Sequence, residues 1–133
     1  MNEEKTFKEI YHEKPITEFA SGIARMYNRI LKKKPSEITL DELCFLIRQN
    51  CFSDITIPWG LKLLEENPWT GEYYEGELLY SFSCSTILDG ITKEKLRKII
   101  DKIDLTSEKL DDIDRKFYTN DIIPRFKKHG VLK

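Results

Sequence analysis

Apolar residues recur at three- and four-residue steps along most of this chain, and prolines and capping residues cut those steps into short runs. Ile16, Phe19, Ala20, Ile23, Tyr27, Ile30 and Leu31 place one stripe on a helix from about Pro15 to Lys33. Lys32, Lys33 and Lys34 fall at its end, where cations meet unpaired carbonyls, and Pro35 stops it. Thr39 and Glu42 have the spacing of a capping box, which predicts a second helix to about Gln49 with Leu40, Leu43, Leu46 and Ile47 inward.

The same logic continues downstream. Thr56 is placed to cap a third helix with Pro58 in its first turn, and Asn67-Pro68 ends it because the residue before proline is pushed from helical angles. Glu77 to about Cys84 is apolar enough for a helix or a buried strand. Thr92 then opens a helix carrying Leu96, Ile99, Ile100 and Ile103, and Thr106 or Ser107 opens another with Leu110, Ile113 and Phe117 on its apolar stripe. A last short helix carries Ile122, Ile123 and Phe126 if Pro124 falls in its first turn. No Asn-Gly or Asp-Gly hairpin turn is flanked by alternating runs. The expectation is all-α: a single-domain bundle of six or seven short helices spanning residues 1–133.

At 133 residues, 40% of them apolar, the chain can bury a core without staples. No stretch approaches the roughly 18 apolar residues of a membrane span. The start, MNEEKTFKEIYHEK, is charged throughout and lacks the apolar middle of a secretory signal, so the expected location is cytoplasmic. Cys44, Cys51 and Cys84 form no C-x-x-C pair and read as reduced thiols, with Cys44 in the core.

Little here suggests catalysis. His12 and His129 stand near opposite ends and read as solvent-facing, and there is no phosphate-binding glycine loop, nucleophile elbow or H-E-x-x-H. Glu65 and Glu66 are helical neighbours pointing about 100° apart, which does not suit one substrate. Asp111, Asp112 and Asp114 read as the solvent side of their helix. No enzyme activity, cofactor or metal is expected. The basic groups Lys32–Lys34 and Arg125, Lys127 and Lys128 have ordinary helix-end explanations, so no nucleic-acid partner is expected either.

Charge is the informative feature. The net value is −1, but residues 1–34 carry +3, residues 35–92 carry −8 and residues 93–133 carry +4. Half of the ten acids in the middle segment fall between Glu65 and Glu77, around Trp69, Tyr73 and Tyr74. Rings of this type supply much of the energy at protein interfaces, and a carboxylate-rich patch speeds encounter with a basic partner. Glu65, Glu66, Trp69, Glu72, Tyr73 and Glu75 are the candidate partner-binding residues, with Trp59 and one tyrosine expected inside. A nuclease's phosphate-holding groove is a natural basic target.

The segment Ile38-Thr39-Leu-Asp-Glu42-Leu43, Leu46-Ile47 and Gln49, then Ile57-Pro58, Gly60-Leu61, Leu64, Asn67-Pro68, Tyr74 and Gly76-Glu77-Leu78-Leu79, resembles the immunity proteins of bacterial contact-dependent growth inhibition systems. Glu77 stands where Asp is common in that pattern, and Cys44 where a polar residue is more usual. The resemblance implies a small, helical, non-enzymatic cytoplasmic protein that binds and neutralises a delivered toxin domain; taken with the charge segregation, the expectation is an immunity protein that occludes its toxin, a nuclease. It carries over no binding residues; Pro58, Gly60, Pro68, Gly76 and Leu79 fit determinants of fold. The alternative is a helical adaptor or regulator of another basic protein.

Overall fold

The computed structural model describes residues 4–17, 22–108 and 110–133, and among them there are helices and turns but no strand. The all-α expectation holds. The chain gathers into two compact units, residues 1–42 and 43–133.

In the first unit, α1 (Phe7–Tyr11) opens with a capping box made by Thr6 and Glu9. Phe7 is fully buried, and its amide donates to the Lys33 carbonyl at 2.9 Å. Helix α2 spans Gly22–Leu31, so the helix expected from about Pro15 starts later. Asn28 explains part of the difference. Its side chain accepts from the Ile16 amide at 2.8 Å and donates to the Ile16 carbonyl at 2.9 Å, which satisfies that backbone without a helix. Ile16 and Ile23 are exposed, while Ala24, Ile30 and Leu31 are buried; Phe19 and Ala20 lie outside the described residues.

Pro35 begins a short turn, Pro35–Glu37, as its place after the lysines predicts. The Thr39–Glu42 capping box then forms as expected, with the Glu42 amide donating to Thr39 Oγ1 at 3.1 Å and the Thr39 amide to Glu42 Oε1 at 2.9 Å. Glu42 is only 1% exposed and also receives Lys33 Nζ at 2.8 Å and Arg29 Nε at 3.0 Å. Burial alone would raise its pKa, yet the Lys33, Thr39 and Arg29 hydrogen bonds outweigh that and hold the carboxyl below its usual range.

Helix α3 (Leu40–Arg48) begins in the first unit and continues into the second. Leu43 through Ile47 are all buried, Cys44 included. Helix α4 spans Ser53–Glu66, one turn earlier than a Thr56 cap would place it. Thr56 is instead buried inside the helix, its hydroxyl donating to the Cys51 carbonyl at 3.3 Å, and Pro58 lies in the helix interior. Sequence pattern could not anticipate this start, because Phe52 reaches it through a left-handed φ of 53° that a bulky residue rarely adopts. Asn67 ends α4 as expected.

Helix α5 (Glu77–Cys84) resolves the helix-or-strand question and carries Leu78, Leu79 and Phe82 into the core. It packs close to α4 because Gly60 has no side chain: a Cβ there would come within 2.8 Å of the Phe82 ring and 2.9 Å of Ile47. Helix α6 (Gly90–Asp101) is capped by Asp89, whose side chain accepts from the Thr92 amide at 2.8 Å, so Thr92 is inside the helix and not its opener. Backbone donation from Thr92 keeps the Asp89 carboxyl below its usual range.

The end of the chain departs most from expectation. Helix α7 (Asp112–Phe117) starts after Thr106 and Ser107, because Asp104 turns the chain by accepting from the Thr106 amide at 2.9 Å. Arg115 fixes that loop, donating to the Leu105 carbonyl at 2.7 Å and the Ser107 carbonyl at 2.8 Å. The late start leaves Leu110 buried ahead of the helix and Ile113 79% exposed, so the stripe expected over Leu110, Ile113 and Phe117 does not form. No break follows either. A wide π turn, Tyr118–Ile122, joins α7 to α8 (Ile123–Lys128), with the Ile123 amide donating to the Tyr118 carbonyl. The five-residue spacing accommodates Pro124, which brings no amide to an ordinary helical ladder. Tyr118, Ile122 and Phe126 form the buried side.

Among the described residues, no helix is long and apolar enough to cross a membrane.

Candidate functional site

The acidic bend is the ten-residue loop between α4 and α5, and its own backbone ties it tightly. Asn67 starts it, taking the Trp69 amide on Oδ1 at 3.0 Å and the Thr70 amide on its carbonyl at 3.1 Å. The Gly76 amide closes back on the Trp69 carbonyl at 2.9 Å, and the Leu78 amide reaches the Thr70 carbonyl at 3.1 Å. Two glycines make the path possible. A Cβ on Gly71 would sit 1.9 Å from the Tyr74 carbonyl oxygen, and Gly76 has a φ of +86° at the start of α5.

Glu77 organises the loop from within. Its carboxylate is 2% exposed and accepts the Glu72 amide at 2.8 Å and the Tyr73 amide at 3.1 Å. A position inside the first turn of α5 also favours the negative charge. The sequence counts Glu77 with its four acidic neighbours, but it works as an internal staple.

The six candidate residues fall into three settings. Glu72, Tyr73 and Glu75 project from the loop, with Tyr73 73% exposed. Trp69 is half-buried, its ring edge-on to Tyr118 at 5.4 Å and over Gly76, so it belongs partly to the packing. Glu65 and Glu66 are exposed on the last turn of α4, but Glu65 also faces a groove of about 340 Å³ lined by Lys95, Lys98 and Lys102 of α6. That lysine row tempers the negative field on the α4 side. Trp59 is half-buried, and neither Tyr73 nor Tyr74 is buried, against the expectation that one would be.

Sequence reasoning missed a second surface beside the loop. Tyr74, Tyr80, Ile113, Asp114 and Phe117 line an open pocket of about 430 Å³. Although Tyr74 is 42% exposed, partial desolvation of its phenol, helped by the nearby charge of Glu77, pushes it up to about 12. Adjacent aromatics at Phe117 and Tyr118 were the available signal: helical neighbours point about 100° apart, so both cannot enter one core.

The two histidines sit in different settings. His12 is exposed, whereas His129 is half-buried and, contrary to the solvent-facing expectation, its Nδ1 donates to the Ser83 carbonyl at 2.8 Å. Among the described residues no three His, Cys, Asp or Glu side chains converge to hold a metal ion.

A family model for CDI immunity proteins matches residues 9–101, from α1 through α6 and including the whole acidic loop. The segment that carries α7 and α8 lies beyond the match. No curated protein matches the chain.

Proposed function

Since the chain belongs to the family of CDI immunity proteins, we propose that it binds the toxin domain of its own contact-dependent growth inhibition system in the cytoplasm and silences it by occlusion, without catalysis. The toxin in this reading is a nuclease with a basic substrate groove. Glu65, Glu66, Trp69, Glu72, Tyr73 and Glu75 form the first contact region.

What carries the reading is the geometry of the loop: Glu72, Tyr73 and Glu75 are exposed on a backbone that Glu77 and Gly71 hold in one shape. A preformed, negatively charged loop loses little conformational freedom on binding and attracts a cationic surface at long range. Aromatic rings beside it add desolvated contact area, which slows dissociation.

Co-expression tests the proposal. Cells making the toxin domain encoded beside this chain should grow when the wild-type chain is present, and the purified pair should co-elute. A regulator of some other basic protein would give neither protection nor co-elution. Protection by a chain that does not bind the toxin would equally overturn occlusion.

A further inference from the structure

We propose that the pocket lined by Tyr74, Tyr80, Ile113, Asp114 and Phe117 receives a lysine or arginine side chain of the toxin domain. This rests on the reading above that the partner is a basic protein.

Three aromatic rings meet in the pocket. Tyr74 stands edge-on to Phe117 with centroids 5.6 Å apart, and Tyr80 lies 5.3 Å from Phe117 at a tilt of 37°. Rings set at such different angles present π faces in several directions, and a π face attracts a cation through its quadrupole. Tyr80 already carries one cation, with the Arg125 guanidinium carbon 5.3 Å from its ring centroid, so an incoming cation takes the faces of Tyr74 and Phe117. Ile113, 79% exposed at the start of α7, gives an aliphatic wall suited to the methylene stem of a long cationic side chain.

Asp114 selects the sign of the occupant. Its neighbour Arg115 is committed to Asp112 Oδ1 at 2.7 Å and to two loop carbonyls, so it turns away from the pocket chemistry. An apolar plug would strip water from Asp114 without replacing its partners. Asp114, and Glu75, which adjoins Tyr74 in the loop, repel a phosphate-bearing surface, while Arg125 on the Tyr80 side attracts it, so the sign of the occupant is set at the Asp114 end of the pocket. A cation satisfies ring faces, aliphatic wall and carboxylate together. Tyr74 and Tyr80 lie within the family-matched residues, whereas Ile113, Asp114 and Phe117 lie beyond them. The pocket therefore joins a family-matched segment to one beyond the match.

Titration calorimetry with the purified toxin domain encoded beside this chain tests the assignment, using the full chain, Asp114→Lys, Asp114→Asn, Ile113→Ala and a charge control, Glu13→Lys. Thermal melts check that each variant is folded. Asp114→Lys should weaken binding about tenfold or more, and Asp114→Asn and Ile113→Ala about threefold each, with Glu13→Lys unchanged. Wild-type affinity in Asp114→Lys overturns the proposal. So does weakening by Ile113→Ala alone, which marks an apolar occupant, or equal weakening by Glu13→Lys, which marks bulk charge. Self-association of the chain lost in Asp114→Lys while toxin binding persists would assign the pocket to a second copy instead. If the wild-type chain binds no toxin, the function proposed above falls with it; if only the Asp114 variants behave as wild type, that function stands and this pocket alone is excluded.

Discussion

Glu42 and Glu77 are both buried carboxylates that fasten a turn to the first turn of a helix, one in each compact unit, and they leave opposite electrostatic results. Glu42 meets Lys33, Arg29 and the Thr39 amide, so its charge is cancelled where it stands. Glu77 meets the amides of Glu72 and Tyr73 at the start of α5, and no ion pair reaches it among the described residues. Dipoles satisfy its hydrogen bonds without removing its charge. One corner, with two cations on one carboxylate, is thereby closed and no longer negative, while the other is closed and still negative. The same residue type thus serves as a structural lock in the first unit and as both lock and field source in the second.

The largest effect should come from breaking the second corner's backbone. Gly71→Ala puts a methyl group against the Tyr74 carbonyl, which cannot move without opening the loop. Loss of about 3 kcal/mol in urea denaturation is expected, together with weaker toxin binding. Stability within about 0.5 kcal/mol of wild type would show that the loop is not tightly held.

Glu42→Ala tests the ion-paired corner and should cost about 2 kcal/mol at neutral pH, from the lost cap and charge-assisted bonds, because the exposed Arg29 and half-buried Lys33 can return to water. The pH dependence has a definite sign. A carboxyl held below its usual 4.5 stabilises the fold above that value, and the contribution disappears as pH falls through the lower folded value. The difference between wild type and Glu42→Ala should therefore shrink in acid. A difference that grows in acid would contradict the charged state assigned to Glu42.

Glu77→Gln sharpens the comparison with the smallest change. The amide oxygen still accepts from the loop, so the cost should be about 1 kcal/mol or less and insensitive to salt, whereas toxin association should slow. Salt-dependent destabilisation would reveal a counter-cation at Glu77 and contradict the comparison.

How much of this the sequence discloses follows from what sets each feature. The Thr39–Glu42 box, the stop at Asn67 and the bounds of α5 are local, decided by residues within a turn or two, and they fall where the pattern places them. Starts decided by distant partners do not. Asn28 holds Ile16 from twelve residues away, and Arg115 holds Leu105 from ten, so a periodic pattern assigns both segments to helix too early. Pro124 does fall in the first turn of α8, but the π turn that leads into it is not legible in the sequence, and the late start of α7 leaves Ile113 outside the stripe expected of it. For the candidate surface, composition identifies the acidic loop but not that Glu77 points inward or that Trp69 leans on Tyr118. Those depend on the loop closing, which Gly71 and Gly76 permit and no pattern of charge records.

The central claim is that the exposed acids of the loop draw in a positively charged toxin. Stopped-flow association of the toxin domain with the wild-type chain and with a variant carrying Lys at positions 65, 66, 72 and 75 tests it directly, over a range of salt. Wild-type association should fall steeply as salt rises, and the variant should associate at least about tenfold more slowly at low salt with little salt dependence. Equal rates and equal salt slopes for the two chains would contradict the account.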